Sequence, residues 1–326
     1  MKRLYPLRFR PILRRYIWGG RRLETLLHKS LGPGNDYAES WEICDHGQHQ
    51  SIVESGPLAG TTLGQLVSER GEALLGQHHS RDRFPLLLKF LDANRTLSVQ
   101  VHPDDARAAR LTPPDLGKTE AWVVLAAESG GTIYAGLRSG VDRDVLARAI
   151  REGNCEQCLH QFHPLAGDCV LLPAGTVHAL GEGLLVAEIQ QASDVTYRLF
   201  DWNRLDDDGN PRPLHVEQGL EAIDYDRGPV AVQRPRATDR ASTSRLVECD
   251  KFVLDRLRLD VPEAVGGDLR CHIITVLEGS LRIEGDPANR ALSLGQTALL
   301  PASIGSVRLT PQGQAVLLDA YLPHAR

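Results

Sequence analysis

Short apolar runs broken by glycine and proline dominate the chain. β-Branched or leucine-rich segments at 97–101, 121–125, 169–172, 184–191 and 195–200 read as strands, as do 271–277, 281–284, 297–300, 306–309 and 315–321. At the N-terminus Leu4, Pro6 and Arg8 alternate against Tyr5, Leu7 and Phe9. That stretch has no continuous apolar segment and reads as an opening strand rather than a secretory signal. Helical periodicity is rarer. Thr62 and Gln65 form a capping-box pattern ahead of Leu63, Leu66, Val67 and Leu74 on one side. Residues 142–151 carry Val145, Leu146, Ala149 and Ile150 at helical spacing and stop at Gly153, and 215–223 gives a third, less regular case. Strands outnumber helices and do not alternate with them, which argues against a doubly wound α/β sheet and for sandwiches or barrels.

The stretch 227–242 is rich in arginine, proline and small polar residues and has little apolar pattern. It reads as a linker, dividing the chain into a first domain at 1–235 and a smaller all-β domain at 240–326. A length of 326 residues agrees with two domains of about 150 residues each. With 37 Lys and Arg against 42 Asp and Glu, the net charge of −5 offers no general attraction to nucleic acid or an anionic membrane. No window approaches the roughly 18 apolar residues of a membrane span. Six cysteines, at 44, 155, 158, 169, 249 and 271, are too sparse for a disulfide scaffold, and a reducing cytoplasm is the expected location.

Chemistry concentrates in two places. In Leu97-Ser98-Val99-Gln100-Val101-His102, strand alternation sends Ser98, Gln100 and His102 to one face, which must meet solvent or line a polar cavity. In Gly167-Asp168-Cys169-Val170-Leu171-Leu172-Pro173-Ala174-Gly175-Thr176-Val177-His178, a strand ends at a Pro-x-Gly turn that aims a histidine inward. The second stretch resembles the second cupin motif, G-x5-P-x-G-x2-H, at Gly167, Pro173, Gly175 and His178. The resemblance implies a jelly-roll barrel with His178 as a metal ligand. The set that usually precedes this motif is met by Gln100-x-His102 followed by Glu120. Two histidines, a glutamate and a neutral oxygen suit Zn²⁺, and Fe²⁺ or Mn²⁺ accept the same set.

Further segments narrow the likeness. Trp18-Gly19-Gly20, Glu39-Ser40-Trp41-Glu42, the run 85–93, Gly117-Lys118-Thr119-Glu120-Ala121-Trp122 and Tyr197-Arg198-Leu199-Phe200-Asp201-Trp202 occur in this order. Together they closely resemble the short bacterial form of the type I mannose-6-phosphate isomerases, over about residues 1–225. The resemblance implies a mostly β fold of two cupin-like jelly-roll β-barrels with a small helical insertion. It also implies a zinc-dependent interconversion of mannose 6-phosphate and fructose 6-phosphate, with one Zn²⁺ per chain. Carried over by position, the ligands fall on Gln100, His102, Glu120 and His178. The active-site arginine falls on Arg198, a lysine on Lys118, a glutamate on Glu188, and a serine that helps hold the phosphate on Ser98. The partner is then a small sugar phosphate, with no nucleic acid or membrane, and the chain is a monomer or homodimer.

Moving a proton between C2 and C1 of an open-chain sugar requires an electrophile for the enediolate oxygens and a general base reaching both carbons. Glu188 and Lys118 both qualify as the base. The phosphate needs cations and donors, for which Arg198, Lys118 and Ser98 are suited, since there is no P-loop. Two other readings compete: a cupin metallo-oxygenase and a non-catalytic sugar-phosphate-binding cupin. Cys155-x-x-Cys158-x-His160-x-x-His163 offers four zinc-ligand types, but its spacing is too tight for a structural zinc site, and these side chains are expected to be incidental. In the C-terminal part, Ser303 and Ser306 replace the second glycine and the histidine of the cupin motif. That half is therefore expected to be a metal-free duplicate, with Cys271 and His272 as core and rim residues.

Overall fold

The computed structural model describes residues 4–205 and 209–325. The protein is mostly β, and the paired strands are antiparallel. Four sheets carry the architecture. Sheet I has six strands in the order Cys169–Leu172, Glu120–Ala127, Leu184–Gln191, Leu86–Ala93, Tyr37–Ile43, Ile12–Gly20. Sheet II has five, ordered Leu159–Phe162, Ile133–Leu137, His178–Leu180, Val99–Val101, Tyr197–Phe200. The eight-stranded sheet III runs through Arg236–Ala237, Thr243–Glu248, Val253–Leu259, Ala315–Tyr321, His272–Glu278, Thr297–Leu300, Leu7–Arg10 and Ile52–Val53. Sheet IV contains Glu263–Gly266, Ser306–Pro311, Ser280–Ile283 and Leu292–Ser293.

The sheets stack because their strands are buried on both faces. In sheet I, Leu88, Phe90, Ala121, Val123, Leu185, Ala187 and Ile189 join a core shared with Leu254, Ile273, Leu299 and Leu318 of sheet III. The alternate positions, Leu91, Trp122, Val124 and Val186, pack against Ile133, Ala135 and Leu180 of sheet II. Sheet III repeats the pattern, presenting Leu257, Ile274, Val276, Ala298 and Leu317 to sheet IV. The helix Leu63–Leu75 sets Leu63, Leu66, Val67, Leu74 and Leu75 into the core between sheets I and III. Its Thr62–Gln65 capping box forms as the sequence indicates, and Arg70 departs from helical geometry ahead of Gly71.

Several elements differ from expectation. The helix Arg143–Glu152 is capped by the Asp142 side chain and closed by Gly153 in the left-handed region, but Val145 lies exposed and Ala147 takes the buried position. The opening strand Leu7–Arg10 forms, yet it pairs with Thr297–Leu300 and so completes the C-terminal sheet. The stretch 227–242 contributes Arg236–Ala237 to sheet III and is pinned to the first half. Val230 enters the core between sheets I and II, its amide donating to Ala135 O, and the Gln233 amide donates to Cys169 O at 2.7 Å.

Sheets I and III share one topology. The strands from Tyr37–Ile43 through Cys169–Leu172 and those from Thr243–Glu248 through Thr297–Leu300 occupy the same spatial order by the same chain order. The registers also correspond. Leu172 faces Glu120 as Leu300 faces His272, and Glu188 faces Lys89 as Asp319 faces Asp255. The position of Glu120 is thus filled by His272, that of Glu188 by Asp319 and that of Lys89 by Asp255. His272 is buried, with Nδ1 2.9 Å from Asp319 Oδ1 and Nε2 3.1 Å from Asp268 Oδ1. The Tyr321 hydroxyl donates to Asp255 Oδ2 at 2.7 Å, and the Arg270 guanidinium lies 4.4 Å over the Tyr321 ring. Burial alone lowers the His272 pKa, but the facing Asp319 and Asp268 outweigh it and raise it to about 9.

A histidine whose folded pKa exceeds its unfolded value stabilises fully below about pH 6.5, and the contribution disappears as pH rises through about 9. The expected loss is on the order of 3 kcal/mol. Urea unfolding at pH 6 and 9.5 should show this decline in the wild-type protein and a flatter profile in His272→Gln. Parallel profiles for the two proteins rule out an imidazolium at this position.

Candidate active site

Sheets I and II bring the sequence candidates together across one cavity. Val99 and Val101 turn into the core beneath the helices, which sends Ser98, Gln100 and His102 the other way. His102 follows the strand, and its carbonyl accepts the amide of Gly175, so the Pro-x-Gly turn is clasped directly to it. Gly175 has a φ of +86°, and a Cβ there would meet Ala222 O at 3.2 Å, which fits a glycine at this turn. The turn delivers His178 to the first position of its strand, paired with Gln100, and Gln100 also faces Arg198. Glu120 opens the strand of sheet I opposite.

Three of these side chains converge. One ligand atom each of His102, Glu120 and His178 lies within 4.8 Å of the others, and all three residues are buried. His102 Nε2 is 3.4 Å from Glu120 Oε2, and His178 Nε2 is 3.2 Å from Glu120 Oε1. Each Nδ1 sits 2.9 Å from a backbone carbonyl, Val195 O for His102 and Thr176 O for His178. A carbonyl only accepts, so the proton belongs on Nδ1 and the neutral ring turns the lone pair of Nε2 toward the carboxylate. Burial and the adjacent Lys118 depress His102 to about 3, so it is neutral. Burial works to raise the Glu120 carboxyl, but the Lys118 ammonium beside it holds it well below its usual range. Glu120 Oε1 and His178 Nε2 lack hydrogen-bond partners, and Glu120 Oε2 is met by the Lys118 ammonium. Buried acceptors crowded together in this way are costly unless a cation sits among them. The donor set, two neutral imidazoles and a carboxylate with Gln100 alongside, fits a divalent metal ion.

A row of charges continues from the triad along sheet I. Lys118 Nζ is 2.8 Å from Glu120 Oε2, 3.1 Å from His102 Nε2 and 3.9 Å from Glu188 Oε1. Glu188 accepts from the Trp122 indole at 2.9 Å on Oε2, whereas its Oε1, 3.3 Å from Lys89 Nζ, has no hydrogen-bond partner. Burial and the neighbouring Glu120 raise the Glu188 pKa. Lys89 lies further along, 3.7 Å from Glu39 Oε2, and these carboxylates outweigh its burial and hold its pKa well above the usual lysine value. Lys89 and Glu39 lie in the segments 85–93 and 39–42, where local pattern alone assigns them no role. The signal was available: a lone lysine within Leu86-Leu87-Leu88-Lys89-Phe90-Leu91 must be paired if the strand is buried.

The cavity beside this row is about 300 Å³, and Ser98, Gln100, Lys118, Glu188 and Arg198 all line it, as do Tyr16 and Trp18. Arg198 donates through Nη1 to Pro213 O at 2.9 Å, and its buried Nε has no partner. Burial first, then the neighbouring Arg212 and Arg204, lower its pKa. Arg204 and Arg212 share the carboxylate of Asp201, so this end of the cavity is cationic. The Cys-x-x-Cys-x-His-x-x-His segment lies elsewhere. Cys155 and Cys158 are buried in the apolar cluster with the helix Arg143–Glu152, and burial pushes the Cys155 thiol up to about 12. His163 Nδ1 is occupied by Gly131 O at 2.9 Å. In the C-terminal half, Ser303 and Ser306 are exposed.

The family profile described as "Phosphomannose isomerase type I, catalytic domain" matches residues 7–119. The mannose-6-phosphate isomerase ManA of Bacillus subtilis is 34% identical over 319 residues, covering 97% of this chain and 99% of that protein. The mannose-6-phosphate isomerase of Streptococcus mutans is 34% identical over 301 residues, covering 92% and 94%. A crystal structure of the mannose 6-phosphate isomerase from Bacillus subtilis superposes with a TM-score of 0.87 at 30% identity, covering 97% of this chain and 99% of that one. A likeness of this extent spans both halves of the molecule as well as the residues around the cavity, and the chain belongs to the type I mannose-6-phosphate isomerase family.

Proposed function

We propose that the protein interconverts mannose 6-phosphate and fructose 6-phosphate through an enediolate, using one Zn²⁺ held by His102, Glu120 and His178 with Gln100 beside them. The observation that carries this reading is the convergence of buried acceptors around Glu120 without hydrogen-bond partners. On the same reading, sheets I and II form the catalytic cupin-like jelly roll, sheets III and IV its degenerate counterpart, and the enzyme works in the cytoplasm. No helix among the described residues is long and apolar enough to cross a membrane. When bound, the zinc supplies a Lewis acid beside the sugar oxygens, worth several kcal/mol of charge stabilisation.

The chain's own residues divide the remaining work. Glu188 is the better placed base. Trp122 fixes one of its oxygens, the other is without a hydrogen-bond partner, and its raised pKa brings it closer to the neutral range where a carboxylate both takes and returns a proton. It removes the proton from C2 and returns it to C1. Lys118 stands between Glu120 and Glu188, where its ammonium donates to the sugar oxygen that gains charge as the C–H bond breaks. Arg198, with a free Nε and Arg212 nearby, meets negative charge at the other end of the cavity, and Ser98 adds a hydroxyl donor for the phosphate.

The metal assignment is tested by elemental analysis with a coupled isomerase assay. Chelation should abolish turnover, and His178→Ala should lose most of the metal. The Cys155→Ser/Cys158→Ser double variant should retain one zinc per chain. Full occupancy in His178→Ala excludes that histidine from the ligand set, and turnover that requires O₂ favours the metallo-oxygenase reading.

Arg198→Lys keeps the charge and removes the planar fork. Its kcat should fall on the order of 10²-fold, the scale of losing one electrostatic stabiliser, with unchanged zinc content. A raised KM with near-normal kcat reassigns Arg198 to holding the phosphate.

A further inference from the structure

The ammonium of Lys118 depends for its place on a short segment of backbone, and that segment is held from both ends. The Gly117 amide donates to Asp105 Oδ1 at 2.8 Å. On the other side of Lys118, the Thr119 amide donates to Gln191 Oε1 at 3.1 Å, and the Gln191 amide returns a bond to Thr119 O at 3.2 Å. Gln191 Nε2 closes the loop by donating to Asp105 Oδ1 at 2.9 Å. The fit is close: a Cβ on Gly117 would stand 2.5 Å from the Asp105 amide nitrogen. Asp105 is therefore the hub of a clamp around Lys118.

What fixes the hub comes from the other half of the molecule. Lys251 lies in the turn between the strands Thr243–Glu248 and Val253–Leu259 of sheet III, and its Nζ reaches Asp105 Oδ2 at 2.8 Å. Asp250 steadies the same ammonium at 2.7 Å. The Lys251 and Asp105 side chains are 27% and 46% exposed, so as a surface ion pair they add little to overall stability. Their geometric effect is larger. Lys251 occupies the oxygen of Asp105 that faces away from the clamp and so orients the other oxygen toward Gly117 and Gln191.

We propose that Lys251 is a positioning residue for the isomerase reaction: acting through Asp105 and Gln191, it fixes the 117–119 backbone and with it the ammonium of Lys118. This gives the C-terminal half a part in catalysis, although none of its described residues lines the cavity. The inference rests on the reading of Lys118 as a group that acts on the substrate.

The experiment compares Lys251→Met and Lys251→Arg with the wild-type protein. For Lys251→Met, kcat on mannose 6-phosphate should fall on the order of 10-fold, the scale of losing a supporting contact. KM should stay within about twofold and zinc content and melting temperature near wild type, because the substrate's other contacts and the metal ligands are untouched. Lys251→Arg, which keeps the charge and the reach, should restore most of the loss. Hydrogen exchange of a peptide covering 105–119 should be faster in Lys251→Met and near normal in Lys251→Arg. Wild-type kcat in Lys251→Met overturns the proposal, as does an equal loss in both variants or unchanged exchange. Absence of isomerase turnover in the wild-type protein overturns the functional reading instead, and the exchange measurement then still decides whether Lys251 holds the clamp.

Discussion

A carboxylate buried against two imidazole lone pairs is the constraint around which this molecule is organised. Glu120 is buried, and both neighbouring rings are turned so that they present acceptors. Positive charge has to be supplied, and the surroundings of Glu120 address that need. Lys118 stands against one oxygen, and a further ammonium, Lys89, neutralises Glu188 and Glu39 along the same face of sheet I. The apolar layers on either side bury this row and make each charge count for more than it would in water.

The placement of these groups follows from strand parity. Sheet I is buried on both faces, and each of its central strands alternates between a position that enters the core shared with sheet III and one that faces sheet II. Ala121, Val123, Leu185, Ala187 and Ile189 take the first role. Glu120, Trp122, Glu188 and Lys89 take the second. A one-residue slip in any of these strands exchanges the two sets, driving charge into the central core and leucine into the cavity. The same parity that builds the stack therefore specifies the site.

Sequence reading recovers what local pattern encodes. Ser98, Gln100 and His102 were legible because Val99 and Val101 separate them at period two, and His178 because a proline and a glycine at fixed spacing define the turn before it. Lys89 and Glu39 were harder to assign, since a strand buried on both faces reads as an unbroken apolar run and gives no sign of which face is polar. The pairing of Leu7–Arg10 with the C-terminal sheet and the reach of Lys251 to Asp105 join parts of the chain far apart in sequence, and no local pattern records such contacts. The composition of 227–242 indicates a linker and does not reveal that the amides of Val230 and Gln233 find carbonyl partners on the first half.

The matching registers of sheets I and III mean that one chain meets the same buried-charge problem twice. At the Glu120 position Lys118 answers one carboxylate oxygen and, on the proposed reading, an ion from outside answers the other. At the corresponding position the chain supplies its own, as His272 between Asp319 and Asp268. On that reading the two halves respond to different features of the medium, one to free metal and the other to acidity. Because Leu254, Ile273 and Leu318 share a core with Phe90 and Ala187, a disturbance of either half is felt by the other. Metal starvation and alkaline stress should therefore weaken this protein together more than either does alone.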